Sequence, residues 1–204
     1  MKRDEGRFAD RSLAESMLDR RVLFLFGDLD DRRAGELAMA LMALDAGRDE
    51  PITLHIDIPG GTLDGSLSVI DTIDLLSVPV HATSSARVEG SAIGVLAVCE
   101  RRTASANARF RFGAPQDSFA GGAAEAERWI RQHRDRLDRF VARLSEATGQ
   151  TRERLHADIE TGRYLDAEEA FRYGLIDEVL GRPGADVVPL TGRVDPMSPR
   201  PPPN

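Results

Sequence analysis

Three runs of apolar or alternating residues, Val22–Phe26, Ile52–Ile58 and 78–83, each lead through a turn into a stretch with helical apolar spacing. A strand-helix-strand rhythm of this kind needs crossover connections. It therefore predicts parallel strands in one sheet with helices packed over it, an α/β architecture. The first run is apolar throughout as far as Gly27 and predicts a buried strand. Asp30 or Asp31 can cap the helix that follows, whose apolar positions Leu37, Met39, Leu41, Met42 and Leu44 continue to Gly47. The second run breaks at Pro59-Gly60-Gly61, and a helix carrying Leu67, Val69, Ile70, Ile73, Leu75 and Leu76 extends to Pro79. The third precedes Gly90-Ser91 and an apolar helix over 92–98. A strand pair is expected near 102–104 and 109–112, and a closing strand near 174–179.

At 204 residues the chain holds one sizeable domain with extensions. Residues 1–20 are polar with a weak helical pattern in Leu13, Met17 and Leu18; residues 21–181 form the domain. Residues 182–204 end in Pro201-Pro202-Pro203, a composition expected to stay disordered. Within the domain, residues 123–147 form one long helix with the stripe Trp129, Ile130, Leu137, Phe140, Val141 and Leu144. Glu127 with Arg131 and Asp135 with Arg139 stand one turn apart, as ion pairs on a helix reaching solvent or a partner would. Asp166 and Glu169 bracket the start of a short helix in the spacing of a capping box.

The formal net charge of −7 argues against a nucleic-acid surface, which needs clustered positive charge. Lys2 is the only lysine, which excludes a serine-lysine dyad. A single cysteine, Cys99, fits a reducing compartment. No apolar run is long enough to span a bilayer, and residues 1–7 lack a signal-peptide core, so a cytoplasmic location is expected. The four histidines lack paired ligand spacing and no phosphate loop is present; neither a metal nor another cofactor is expected.

Two short features carry chemistry. A strand ending in Pro59-Gly60-Gly61 can offer bare backbone N–H groups to a substrate, although a plain tight turn is the commoner role. Ser91, ahead of an apolar helix, is by itself a weak signal, since a serine there is usually just an N-cap. As a nucleophile it would have the Ala92 N–H and the helix N-terminus where an oxyanion forms.

Taken in order, these segments resemble the Clp protease proteolytic subunit, the ClpP family, from about Val22 to Leu180. The resemblance rests on the Pro59-Gly60-Gly61 unit, Ile70-Asp71-Thr72-Ile73, Gly90-Ser91, Asn107-Ala108-Arg109 and Phe119-Ala120-Gly121-Gly122. It continues in Ala147-Thr148-Gly149-Gln150, Ala167-Glu168-Glu169-Ala170 and Tyr173-Gly174-Leu175-Ile176-Asp177. It implies the ClpP/crotonase-like fold with the long helix as a projecting handle. It also implies a ring of seven or fourteen subunits, homo-oligomeric or mixed with a paralogue, served by a Clp AAA+ unfoldase. Ser91 is then the nucleophile position, with Gly60, Gly61 and Ala92 forming the oxyanion hole.

The rest of the implied triad is missing. The histidine position reads Gly113 and the aspartate position Gly162. The acid-arginine ring contact beside that aspartate is replaced by Glu160-Thr161, and the segment before the first strand is short and charged. A serine hydroxyl without a base is a poor nucleophile, and loss of triad members leaves roughly 10³–10⁴ over water from the oxyanion hole and binding. Among the histidines, His55 and His81 alternate with apolar residues as structural histidines do, while His133 and His156 lie on later helices away from the serine. The expected function is therefore a catalytically impaired, structural or regulatory ring subunit. The alternatives are an active peptidase using Ser91 with a non-standard base, and an acyl-CoA-binding protein of the crotonase type.

Overall fold

The computed structural model describes residues 11–181; the proline-rich segment 182–204 and residues 1–10 lie outside the described residues. Helix α1 (Arg11–Asp19) leads into strand β1 (Val22–Phe26), and α2 (Asp31–Asp45) returns to β2 (Ile52–Ile58). Asp30 is the cap of α2: its carboxylate accepts from Arg33 N at 2.8 Å. Helix α3 (Leu63–Leu75) crosses to β3 (Val80–Glu89), and the short α4 (Ala92–Ala97) to β4 (Arg101–Ser105). Strand β5 (Arg109–Arg111) precedes the long α5 (Ala123–Thr148) and α6 (Arg152–Thr161). Strand β6 (Tyr164–Asp166), α7 (Ala167–Tyr173) and β7 (Glu178–Leu180) close the fold.

The strands run in the order β1-β2-β3-β4-β7, all parallel, as the crossovers require. Strand β3 is longer than its sequence suggests because it serves two partners. His81 to Ser84 pair with β4, while Arg87 to Glu89 pair with β5, which in turn pairs antiparallel with β6. The expected pairing of the segments near 102–104 and 109–112 with each other is thus corrected: each docks on a different half of β3. That division lets one strand carry the chain from the main sheet to the corner where Ser91 sits.

Ile52, Leu54, Ile56 and Ile58 of β2 point to one face and are fully buried, while Thr53, His55 and Asp57 face the other side half-buried. Full burial of each such aliphatic side chain contributes about 1.5–3 kcal/mol. Every residue of α4 is buried, packed between α3 and α5. The expectation that β1 is buried on both sides is corrected. As the sheet edge among the described residues, it buries Val22 and Leu25 and packs Leu23 partly against the core, while Phe24 and Phe26 remain about half exposed.

Helix α5 divides along its length, which is about 39 Å at 1.5 Å per residue. Phe140, Val141 and Leu144 bury against the core, while the first half projects with Ile130 exposed. The expected pairs Glu127–Arg131 and Asp135–Arg139 are absent among the described residues. Instead Arg136 reaches Asp64 and Arg143 reaches Asp74 on α3. Asp74 accepts from both Nε and Nη2 of Arg143, a fork geometry, while both Asp64 oxygens lie against the single Nη1 of Arg136. The capping box of α7 forms as its spacing requires, with Glu169 N donating to Asp166 and Asp166 N to Glu169.

Candidate active site

The double-glycine turn is held by an otherwise isolated bridge. Leu29 N donates to Gly60 O and Thr62 N to Leu29 O, both at 3.0 Å. A Cβ on Gly61 would lie 2.9 Å from the Leu29 carbonyl oxygen, whereas one on Gly60 would have to displace the side-chain amide of the exposed Gln116. Both glycines are buried. Thr62 then caps α3, accepting from Gly65 N through its hydroxyl, which donates to Asp31.

Strand β3 delivers Ser91 through Gly90, whose φ of +62° few other residues adopt without strain. The Gly90 N–H donates to Arg111 O at 2.9 Å, which ties this corner to β5. Ser91 is 1% exposed, and its side chain makes no cap bond to α4. Its single hydroxyl proton is directed at two backbone carbonyls, Gly61 O at 3.0 Å and Thr62 O at 3.1 Å. Its oxygen accepts a bond from Ser66 Oγ at 2.8 Å. Ser66 occupies the apolar stripe of α3 with Leu63 and Ile70, and its hydroxyl needs a partner there because no water reaches it. The Ser91 hydroxyl is therefore fully engaged, and none of its bonds goes to a base. Ala92, following it, is completely buried.

Gly113 and Gly162, the positions expected to replace the histidine and aspartate, face a common neighbour. A Cβ on Gly113 would have Arg111 Cζ as its nearest atom, at 4.0 Å; one on Gly162 would lie 3.6 Å from Arg111 Nη2. The Arg111 guanidinium thus lies beside both Gly113 and Gly162. It also stacks over Tyr164 at 5.5 Å and stands 3.7 Å from Glu89. A guanidinium stays protonated and only donates, so it cannot take a proton from a hydroxyl.

The histidines are distributed elsewhere. His55 stacks on Phe24 at 5.1 Å, and burial pushes its pKa below the usual value. His81 lies half-buried on β3 and His156 pairs with Asp138 at 3.4 Å. His133 Nδ1 stands 3.4 Å from Asp117, with Trp129 stacked on its ring at 4.8 Å. Asp117 in turn accepts from Leu63 N at 3.2 Å. Burial raises the Asp117 pKa, opposed by that bond and by His133. This imidazole-carboxylate pair lies beyond the glycine turn and makes no bond to Ser91. Burial also pushes the Cys99 thiol up to about 12, leaving it unreactive.

Arg111, Ser66, Gln116 and the His133–Asp117 pair were not legible as parts of this corner. Ser66 carried a usable signal, a hydroxyl on an apolar helical stripe. Arg111 carried none, because its side chain is placed by the register of β3 with β5. Among the described residues, no helix is long and apolar enough to cross a membrane.

Residues 5–183 match the family model described as Clp protease. The chain is also 34% identical over 173 residues to the ATP-dependent Clp protease proteolytic subunit 2 of Pseudomonas aeruginosa, a match covering 82% of this chain and 85% of that one.

Proposed function

The chain belongs to the Clp protease family, and from that premise we propose that it is a ring subunit impaired in peptide hydrolysis, with a structural or regulatory role. It assembles with a catalytically intact paralogue in a mixed ring of seven or fourteen subunits, in the cytoplasm, and meets a Clp-type AAA+ unfoldase through that assembly.

The observation that carries this reading is the state of Ser91. Its proton is held by Gly61 O and Thr62 O, its oxygen accepts from Ser66, and Arg111 lies beside Gly113 and Gly162, the positions this reading assigns to the base and its orienting carboxylate. Activation of a serine needs a neighbour that accepts its proton, with a third group orienting that base. Gly60, Gly61 and Ala92 retain the backbone of an oxyanion hole in this reading, and Ser91 keeps the nucleophile position, while Gly113 and Gly162 leave proton transfer unsupplied. A fluorophosphonate probe tests it. The expected result is no labelling of Ser91 and no peptidase activity in the pure protein. Robust labelling that Ser91→Ala abolishes, together with peptide cleavage, overturns the reading. Native mass measurement of the protein mixed with an intact paralogue tests the assembly, with rings containing both chains as the expected outcome.

A further inference from the structure

We propose that residues 115–117 are a strap that occupies, from within the chain, the peptide cleft along the Gly60–Gly61 turn. The inference rests on the reading above that Gly60 and Gly61 retain the backbone of an oxyanion hole, which a substrate's carbonyl would have to reach. It adds that the cleft in this chain is closed by its own residues.

Three contacts build the strap. Gln116 N donates to Gly61 O at 2.9 Å, a main-chain bond of the sort an added peptide strand makes with an edge. The Gln116 side-chain amide lies directly over Gly60, covering the backbone a substrate carbonyl would approach. One residue on, the Asp117 carboxylate accepts from Leu63 N at 3.2 Å and stands 3.4 Å from His133 on α5. The segment thus meets the turn at two successive residues, Gln116 through its main chain at Gly61 and Asp117 through its carboxylate at Leu63.

The strap is lightly held. Residues 113–122 contain neither helix nor strand, and Ala114, Gln116 and Ser118 are exposed. Apart from the Asp117 carboxylate, which is mostly covered, the attachment is one main-chain bond and one surface side chain. Segments with few buried contacts open at lower free energy than the core around them. An incoming peptide can replace the Gln116 bond to Gly61 O without disturbing the buried bonds of Ser91.

The test uses the full chain and fluorescein-labelled β-casein, an unfolded polypeptide, with binding read by anisotropy. Gln116→Pro deletes the donor N–H and the covering amide together; Gln116→Ala removes the cover alone. Gln116→Ala changes an exposed residue and provides a folded variant even if proline is not tolerated. The expected result is casein binding at least tenfold tighter in a folded variant than in the natural chain, with faster hydrogen exchange at the Leu63 amide. Casein affinity unchanged in the folded variants overturns the strap. Fluorophosphonate labelling of the same proteins separates the two ideas. Ser91 labelling in the natural chain sinks the impaired-subunit reading and leaves a casein gain intact as support for the strap. Absent labelling with unchanged casein affinity does the reverse.

Discussion

Ser66 Oγ donates to Ser91 Oγ across 2.8 Å inside the core, joining α3 to the start of α4 through two hydroxyls that no solvent reaches. The bond makes Ser91 part of a buried polar network. Such networks are stabilising when every member is satisfied and costly when one is lost.

Removing either serine therefore has a structural cost that is not additive. Ser91→Ala leaves Ser66 without its acceptor and Thr62 O without that donor, and should destabilise by about 1–3 kcal/mol. Ser66→Ala should cost about 1 kcal/mol, since Ser91 still donates to the two carbonyls. Urea unfolding of the single and double variants should show the double costing less than the sum of the singles. Strict additivity would mean that the bond contributes nothing.

Rebuilding the missing proton transfer should activate Ser91. The positions have room, because a Cβ on Gly113 or Gly162 meets Arg111 only at 3.6–4.0 Å, ordinary contact distance. Gly162 has φ +67°, so an aspartate there carries strain of about 1–2 kcal/mol, while Arg111→Met clears the charge. The triple variant Gly113→His, Gly162→Asp, Arg111→Met should label with fluorophosphonate at least roughly a hundredfold faster than the natural chain, the scale on which a positioned base contributes. Equal rates would show that the closed serine, rather than the missing base, limits reactivity.

Gly94 fixes the distance between α4 and its neighbours. A methyl group there would lie 2.9 Å from Ile70 Cδ1 and overlap the Phe140 ring, which docks α5 on the core. Gly94→Ala should destabilise by about 1–3 kcal/mol through overpacking, despite the better helix propensity of alanine. A thermal melt gives the loss of stability, and Gly94→Ala with Phe140→Leu should recover part of it.

Stability should also fall as the solution is acidified below neutrality. His55 has a lower pKa folded than unfolded, because burial beside Phe24 disfavours its charged form. The unfolded chain then binds its proton more readily, so the contribution is present above about pH 6.5 and lost as pH falls through the lower folded value. Urea midpoints at pH 7.5 and 5.5 should differ less in His55→Gln than in the natural chain. An identical difference in both would assign the acid sensitivity to other groups.

Much of the fold is written locally. The alternation of Ile52–Ile58, the cap at Asp30, the box of Asp166 and Glu169, and the glycine after Thr148 each specify an element within a few residues. The family order of turn, serine and closing helix is likewise carried by short strings. Local spacing does not say which strand lies at the edge, and so Phe24 and Phe26 read as core although β1 has a neighbour on one side only. The ion pairs of α5 escaped for a similar reason: their aspartates, Asp64 and Asp74, lie on another helix.

The sequence by itself determined the parallel α/β framework and the family, because periodicity, turn chemistry and residue identity are local properties. Only the tertiary structure decided what lies beside Gly113 and Gly162 and what Ser91 bonds to. Arg111 reaches Gly113 and Gly162 through strand register, Gln116 covers Gly60 through a contact 56 positions away in the chain, and Ser66 meets Ser91 through helix packing. Hydrogen bonds and excluded volume act at a few ångströms in space, whatever the separation in sequence.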